Sequence, residues 1–472
     1  MRRLRDWLLP LVYLSNNWIS LAGVVLVTAA TVVWLLILPV TLRGAITHPY
    51  LGILVYLMLP GVFLAGLILI PIGIYFKRRR DRAAGRYPSD FPPLDFQNRE
   101  LRKLLSFIVV TTFLNIVITS QFAYSAVNYM DTVSFCGRTC HTVMNPEFTA
   151  YQGSPHSRVE CVNCHIGPGA SWFVRSKLSG AGQVIAVMLH NYPTPIPVPV
   201  RNLRPARETC ETCHWPQRFD EDRIRDIKTY AADESNTLTH TVLLVHIGGG
   251  RRGVGIHGMH LGEGVKVRYF ASDEKRQEIP WVEYTSAGRT TVFAVAGARP
   301  DPSKVREMDC MDCHNRPTHI FQLPDRAMDQ ALFAGEISPT LPFAKKTGVE
   351  ILKRNYTSEK DAESRIPAAF EDYYRSTYPQ IYAQRRDDVT RGGQKLLAIF
   401  NRNVFPDMKI SWGTYINNLG HTDFIGCFRC HDDQHANAGG KTITQDCSAC
   451  HNPLATDEKQ PKILTELGLD QP

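Results

Sequence analysis

The chain has 472 residues, 44% of them apolar, with a net charge of +8, 12 cysteines and 16 histidines. That length and apolar fraction exclude a disordered chain and a small disulfide-stapled domain. The charge excludes a nucleic-acid partner by its placement: residues 1–7 hold three basic and one acidic side chain and residues 77–103 hold nine and four, leaving the rest near neutral.

Three long stretches free of Asp, Glu, Lys and Arg open the chain. They lie within residues 7–42 (apolar run 19–40), at 49–76 and at 104–130. Each exceeds the roughly 20 residues a helix needs to cross a bilayer. A buried soluble helix explains any one of them but not three in succession. The basic clusters at Arg2, Arg3 and Arg5 and at Lys77–Arg82 place the N-terminus and the 77–103 link in the cytoplasm. Three crossings then put everything after Met130 outside a bacterial cytoplasmic membrane. The first run is too long for a signal-sequence core and is expected to be retained.

Beyond Met130, pairs of cysteines are followed directly by histidine six times. Five are Cys-x-x-Cys-His: Cys161/Cys164/His165, Cys210/Cys213/His214, Cys310/Cys313/His314, Cys427/Cys430/His431 and Cys447/Cys450/His451. The first, Cys136-Gly-Arg-Thr-Cys140-His141, is one residue longer. Together they use every cysteine. This spacing is the attachment signature of c-type haem: two thiols form thioethers to the porphyrin and the adjacent imidazole meets the iron. Zinc ribbons and redox dithiols also use Cys-x-x-Cys, but neither requires the following histidine each time. Six covalent haems are expected.

The expected fold is mixed: a three-helix transmembrane anchor (1–130) followed by a loop-rich multihaem domain with a small β insertion and helical segments. Residues 131–236 carry three motifs in Gly- and Pro-rich chain, with a proline-rich extended segment at 192–205. Alternating residues at 265–270 and 281–295, with a turn at Ser286-Ala287-Gly288, predict the β insertion within 237–300. Residues 301–472 carry the other three motifs, with helices over 324–405 starting near Pro324 and Ser358. The tail after His451 is expected to be loose or to dock a partner.

Electron-carrying haem iron takes His or Met in both axial positions. Ten histidines lie outside the motifs. Seven are candidate distal ligands: His156 and His421 just before a motif, His319 and His435 just after one, His257 and His260 in a Gly-rich bend, and His190 at the end of an apolar segment. His240 and His246 sit in a strand pattern and rank lower, and His48 lies between the first two spans. Met144, three residues after His141, is either a thioether ligand of the first haem or a packing residue.

The run from the third apolar stretch through Cys136…Cys140-His141-Thr-Val-Met144, Tyr151-Gln-Gly-Ser-Pro-His156, Cys161-Val-Asn-Cys164-His165-Ile-Gly-Pro-Gly169, Lys177, His190 and Cys210-Glu-Thr-Cys213-His214 resembles the NapC/NirT family of membrane-anchored multihaem quinol dehydrogenases. The resemblance covers about residues 104–220. The segments around Cys310 and Cys427–His451 resemble extensions of larger relatives. It implies that quinol is oxidised at the outer membrane face near the first haem, with Lys177 beside the quinol, and that electrons pass to a periplasmic cytochrome or a respiratory-complex subunit. The chain departs from the family pattern in its three anchor stretches, in the longer first motif, and in having Gln183 and Val184 where an acidic residue is usual. The rival reading is an electron-wire subunit without its own quinol site. A terminal reductase with an open haem ranks third, because every motif keeps its histidine and no acid–base cluster stands out.

Overall fold

The structure is a computed structural model. It describes residues 13–42, 58–88, 120–122, 124–139, 141–200, 203–215, 221–249 and 254–469, with isolated positions 10, 99, 106, 113 and 117. The chain divides into two compact units, Met1–His141 and Thr142–Pro472.

In the first unit, α1 (Trp18–Leu42) and α2 (Leu59–Ala83) are both long and apolar enough to cross a membrane. Such stretches are helical because the helix satisfies every backbone polar group internally. Small residues let the two backbones meet. A Cβ at Gly23 would lie 2.6 Å from Gly66 O, and one at Gly66 would lie 2.8 Å from Gly23 O. Ser20 Oγ donates across the pair to Ile70 O at 2.9 Å. Lys77 Nζ donates to Tyr13 O and Asn16 O at 2.7 and 2.9 Å, so the basic end of α2 lies beside the start of α1. The pair is therefore antiparallel. The second apolar stretch was expected at 49–76; the helix runs on to Ala83, through the arginines, and residues 49–57 lie outside the described residues. Most of the third stretch, 104–130, also lies outside them. Its Phe122 stacks on Trp34 at 4.9 Å between ring centres, and Trp34 meets Phe63 at 5.4 Å.

The second unit begins with short helices that serve the motifs: α3 (His141–Gln152), α4 (Cys161–His165), α5 (Ala170–Met188) and α6 (Ala206–Cys210). Two small sheets follow. One is β1 (Arg223–Tyr230), β2 (Leu238–Val245) and the C-terminal β7 (His451–Glu458), all antiparallel. The other is ordered β5-β4-β3-β6, with β3 (Lys266–Phe270), β4 (Trp281–Ser286), β5 (Arg289–Ala294) and β6 (Arg306–Glu307). The turn at Ser286-Ala287-Gly288 joins β4 to β5 with Ala287 and Gly288 both at positive φ. The β structure thus begins earlier than residue 237, and the stretch after His451 is a paired strand. Helix α7 (Gly255–Leu261) leads into the second sheet and α8 (Cys310–Cys313) leaves it.

Residues 324–405 form the helical layer: α9 (Pro324–Phe333), α10 (Ala344–Leu352), α11 (Glu359–Thr377), α12 (Pro379–Gln384) and α13 (Arg386–Asn403). On α13 the buried positions are Val389, Gly392, Gly393, Leu396, Ile399, Phe400 and Asn403, one face of a 3.6-residue repeat. They pack on Phe370 and Ile366 of α11. Each fully buried Leu, Ile or Phe contributes about 1.5–3 kcal/mol, so this layer supplies most of the unit's own apolar core. A buried ion pair ties it to the first sheet. Lys345 Nζ donates to Asp329 Oδ1 at 2.5 Å, and the same oxygen accepts the Tyr230 N–H at 2.9 Å.

Candidate haem-binding sites

The motifs fold as single tight turns. Cys161–His165 and Cys310–Cys313 are short α-helices, and the second is started by a capping box between Asp309 and Asp312. His214 N donates to Cys210 O, His314 N to Cys310 O and His431 N to Cys427 O, at 2.8, 2.8 and 3.2 Å. That bond folds the histidine back beside its first cysteine. The longer first motif is accommodated differently: Phe135–Thr139 forms a π-helical turn, the wider winding that an extra residue produces. Cys140 and the side chain of His141 lie outside the described residues.

Five motif histidines face a second histidine from elsewhere in the chain. The ring-centre separations are 6.2 Å for His165–His319, 5.9 Å for His214–His156, 6.3 Å for His314–His257, 5.9 Å for His431–His260 and 6.1 Å for His451–His421. A metal–imidazole bond is about 2.0–2.1 Å long and the ring centre lies about 1.1 Å beyond the nitrogen, so two imidazoles on one metal have centres about 6.2 Å apart. Every pair matches that spacing. The donors converge in twos, the axial set of a haem; among the described residues no three or more of His, Cys, Asp or Glu converge as a zinc site requires.

Outer contacts aim the rings. His260 Nδ1 contacts Ile256 O at 2.7 Å, His319 Nδ1 contacts Glu147 O at 2.9 Å, His431 Nδ1 contacts Thr444 O at 2.9 Å and His156 Nδ1 contacts Pro317 O at 3.3 Å. A carbonyl acceptor fixes the proton on Nδ1 and leaves Nε2 as the ligand atom. Desolvation holds His165, His257, His260, His314 and His451 below the ordinary histidine range. They are therefore neutral, the form that binds iron.

The motifs are also neighbours in chain order. Cys164 lies near Cys213, Cys210 is hydrogen-bonded with Cys310, Cys313 lies near Cys427 and Cys430, and Cys450 lies near Cys427. The contact with Cys210 holds the Cys310 thiol down at about 7, while burial pushes Cys313 and Cys430 up to about 12. Buried charge braces two of these sites. Arg429, inside the fifth motif, donates to Asp312 O of the fourth at 2.6 Å. Asp312 accepts from Tyr269 Oη at 2.5 Å and pairs with Arg276 at 3.2 Å and Arg306 at 3.4 Å.

The remaining candidates are placed otherwise. His435 is buried, with Nδ1 2.8 Å from Asp432 Oδ1 and Nε2 2.5 Å from Ile279 O, so both nitrogens already meet protein acceptors. His190 is exposed at the end of α5 with φ 53° and faces no motif histidine ring among the described residues. His240 and His246 contact Asp226 and Asp222 at 2.9 Å. His48 lies outside the described residues. Met144 is half-buried on α3, and Lys177 sits on α5 with Nζ 4.9 Å from the Phe173 ring centre. Sequence reasoning missed Arg316, which pairs with Glu147 at 3.1 Å and lies over the Tyr415 ring at 4.3 Å, bracing the His319 loop. Its position between His314 and His319 was the available signal. Also missed was the device that aims α7. Gly248 and Gly255 meet so closely that a Cβ on Gly248 would fall 2.0 Å from Val254 O, and both have positive φ.

Comparison with known proteins finds c-type cytochromes. Residues 98–204 match the NapC/NirT cytochrome c family, N-terminal region. The chain is 40% identical over 447 residues to the cytochrome c-type protein ImcH of Geobacter sulfurreducens, covering 93% of this chain and 88% of that one. It is 27% identical over 112 residues to the cytochrome c-type protein NrfH of Wolinella succinogenes, covering 23% of this chain and 63% of that one. No solved structure matches the chain. With one relative 40% identical along almost its whole length and the family model matching residues 98–204, the chain belongs to the NapC/NirT family of membrane-anchored c-type cytochromes.

Proposed function

We propose that the chain is a hexahaem cytochrome c of the bacterial cytoplasmic membrane that oxidises quinol at the outer face and delivers the electrons to a periplasmic or membrane-bound acceptor. The observation that carries this is the set of five histidine pairs, each 5.9–6.3 Å apart and each next to a cysteine pair, in an unbroken spatial series. When bound, haem supplies a reversible one-electron iron couple.

The chain's own residues do the rest. At five sites the two paired imidazoles would together hold the haem iron, which would leave no coordination position for a substrate and favour electron transfer over bond chemistry. For these sites the ligand sets are His165 with His319, His214 with His156, His314 with His257, His431 with His260, and His451 with His421. His141, with Met144 as candidate partner, serves the Cys136/Cys140 site. One helix, α7, supplies both His257 and His260, and these face adjacent motifs. Its single turn therefore sets the distance between two sites, and Arg429 bound to Asp312 O sets it again from the other side.

Quinol gives up two electrons and two protons to become quinone. Lys177 donates a hydrogen bond to a quinone oxygen, and the protons leave to the outer aqueous side. Three crossings with a cytoplasmic N-terminus put the motifs on that side; the antiparallel α1–α2 pair, with the Lys77 end beside the N-terminal end, supports this topology. The test is reduction of the purified holoprotein in liposomes by a menaquinol or ubiquinol analogue. Reduction by at least one of them is expected. Reduction by dithionite but by no quinol would leave an electron-wire subunit, the reading that Gln183 and Val184 at the family's acidic position favour.

A further inference from the structure

Helix α5 presents a second apolar face that, among the described residues, no part of the core packs against. Val187 packs into the cluster of Val143, Ala150, Tyr192 and Ile196, so that side of the helix faces inward. On the opposite side Val174, Leu178, Ile185 and Met188 are 54–72% exposed, and Leu189 just beyond the helix is 71% exposed. At 3.6 residues per turn these positions fall within an arc of about 100°. Five large apolar side chains aligned this way exceed the scatter of single exposed residues on an ordinary surface.

The edges of the stripe identify what covers it. Arg175 borders it on one side and Lys177 on the other, and the helix ASWFVRSKLSGAGQVIAVM contains no acidic residue. Arg175 lies over the Trp172 ring at 5.1 Å and Lys177 near the Phe173 ring at 4.9 Å. An apolar stripe flanked by cations that can extend to headgroups, with aromatic residues at one end, is the pattern of a helix lying in a membrane interface. At 19 residues it is about 28 Å long, enough to lie flat over several lipids. The same chain supplies the bilayer: α1 and α2 are long enough to cross it, and the third apolar stretch ends at Met130, 40 residues before Ala170.

We infer that α5 is a monotopic membrane-surface helix, with Val174, Leu178, Ile185 and Met188 sunk into the acyl boundary of the outer leaflet and Arg175 held at the anionic phosphates. The inference goes beyond the proposed quinol reaction and does not depend on it. A helix lying this way would hold Lys177 at headgroup depth.

Full-length holoprotein in nanodiscs of phosphatidylcholine and phosphatidylglycerol, doped with a phospholipid bearing a photoreactive diazirine in its acyl chain, tests it. After illumination, peptide mass spectrometry is expected to find lipid adducts on residues 170–189 as well as on the apolar stretches 18–42, 59–83 and 104–130. The double variant Leu178→Gln/Ile185→Gln is expected to lose the 170–189 adducts with its haem absorbance unchanged. Adducts confined to the three apolar stretches would assign the stripe to a protein neighbour and overturn the inference. So would adducts on 170–189 that the double variant leaves undiminished. Quinol activity is read separately and enters neither outcome.

Discussion

His260 and His435 stand four residues or fewer from a Gly-rich bend or a motif, and from sequence they compete as iron ligands; their geometry separates them. His260 has its Nδ1 on Ile256 O at 2.7 Å and its ring centre 5.9 Å from that of His431. Replacing it with alanine removes the second imidazole of the pair that would hold an iron at the His431 site. That site then loses its sixth ligand. With six haems attached, about one-sixth of the ferric low-spin signal converts to high spin. His260→Met restores six-coordination and raises the potential of that one haem, because a thioether ligand favours the ferrous form. His435→Ala behaves in the opposite way. It deletes contacts of 2.8 Å to Asp432 and 2.5 Å to Ile279 O in a site 1% exposed. One hydrogen bond to a charged group and one to a carbonyl are worth about 2–4 kcal/mol together. The melting temperature therefore falls by several degrees while every haem stays low-spin. Electron paramagnetic resonance of the oxidised proteins and a thermal melt read both. A low-spin haem lost in His435→Ala, or none lost in His260→Ala, would refute the assignment of ligands by ring separation.

Other outcomes follow from the same contacts. Asp329→Asn leaves Lys345 as an uncompensated buried cation and is expected to cost about 3–5 kcal/mol in chemical denaturation, with Lys345→Met in addition recovering part of the loss. Gly392→Ala puts a methyl 2.6 Å from the Phe370 ring and is expected to destabilise the helical layer by about 1–3 kcal/mol, read as an earlier melt. Lys177→Ala is expected to slow quinol-driven haem reduction and leave dithionite reduction unchanged. Desolvation keeps His260 and His314 below the ordinary range in the folded state. The unfolded chain therefore takes up protons first, and stability is expected to fall as pH drops through about 6.5. A melting temperature that rises on acidification from neutral pH would contradict that sign.

The candidate sites were partly legible because attachment chemistry would fix a local spacing. The Cys-x-x-Cys-His turns and the five histidines now facing them could be picked out one by one. Their pairing could not. His319 follows the fourth motif closely yet faces His165 of the second, because the Arg316–Glu147 contact turns its loop toward α3. His435 is four residues from His431 and His319 five from His314, but the His435 loop turns it onto Ile279 O; nearness along the chain does not fix where an imidazole points. The hairpin β4–β5 and the helices of 324–405 were readable from local periodicity. Strand β7 was not, since its pairing with β2 closes a loop of more than 200 residues and leaves no local mark. The first motif's extra residue was visible, whereas its π-helical turn required the backbone.

The central claim is that porphyrin is bonded to each cysteine pair. Intact-mass measurement of the purified protein tests it most directly. The polypeptide mass plus six haems is expected, with peptides from all six motifs carrying the adduct, including Cys136/Cys140. A mass equal to the bare polypeptide, or thiols that alkylate freely after denaturation, would contradict it.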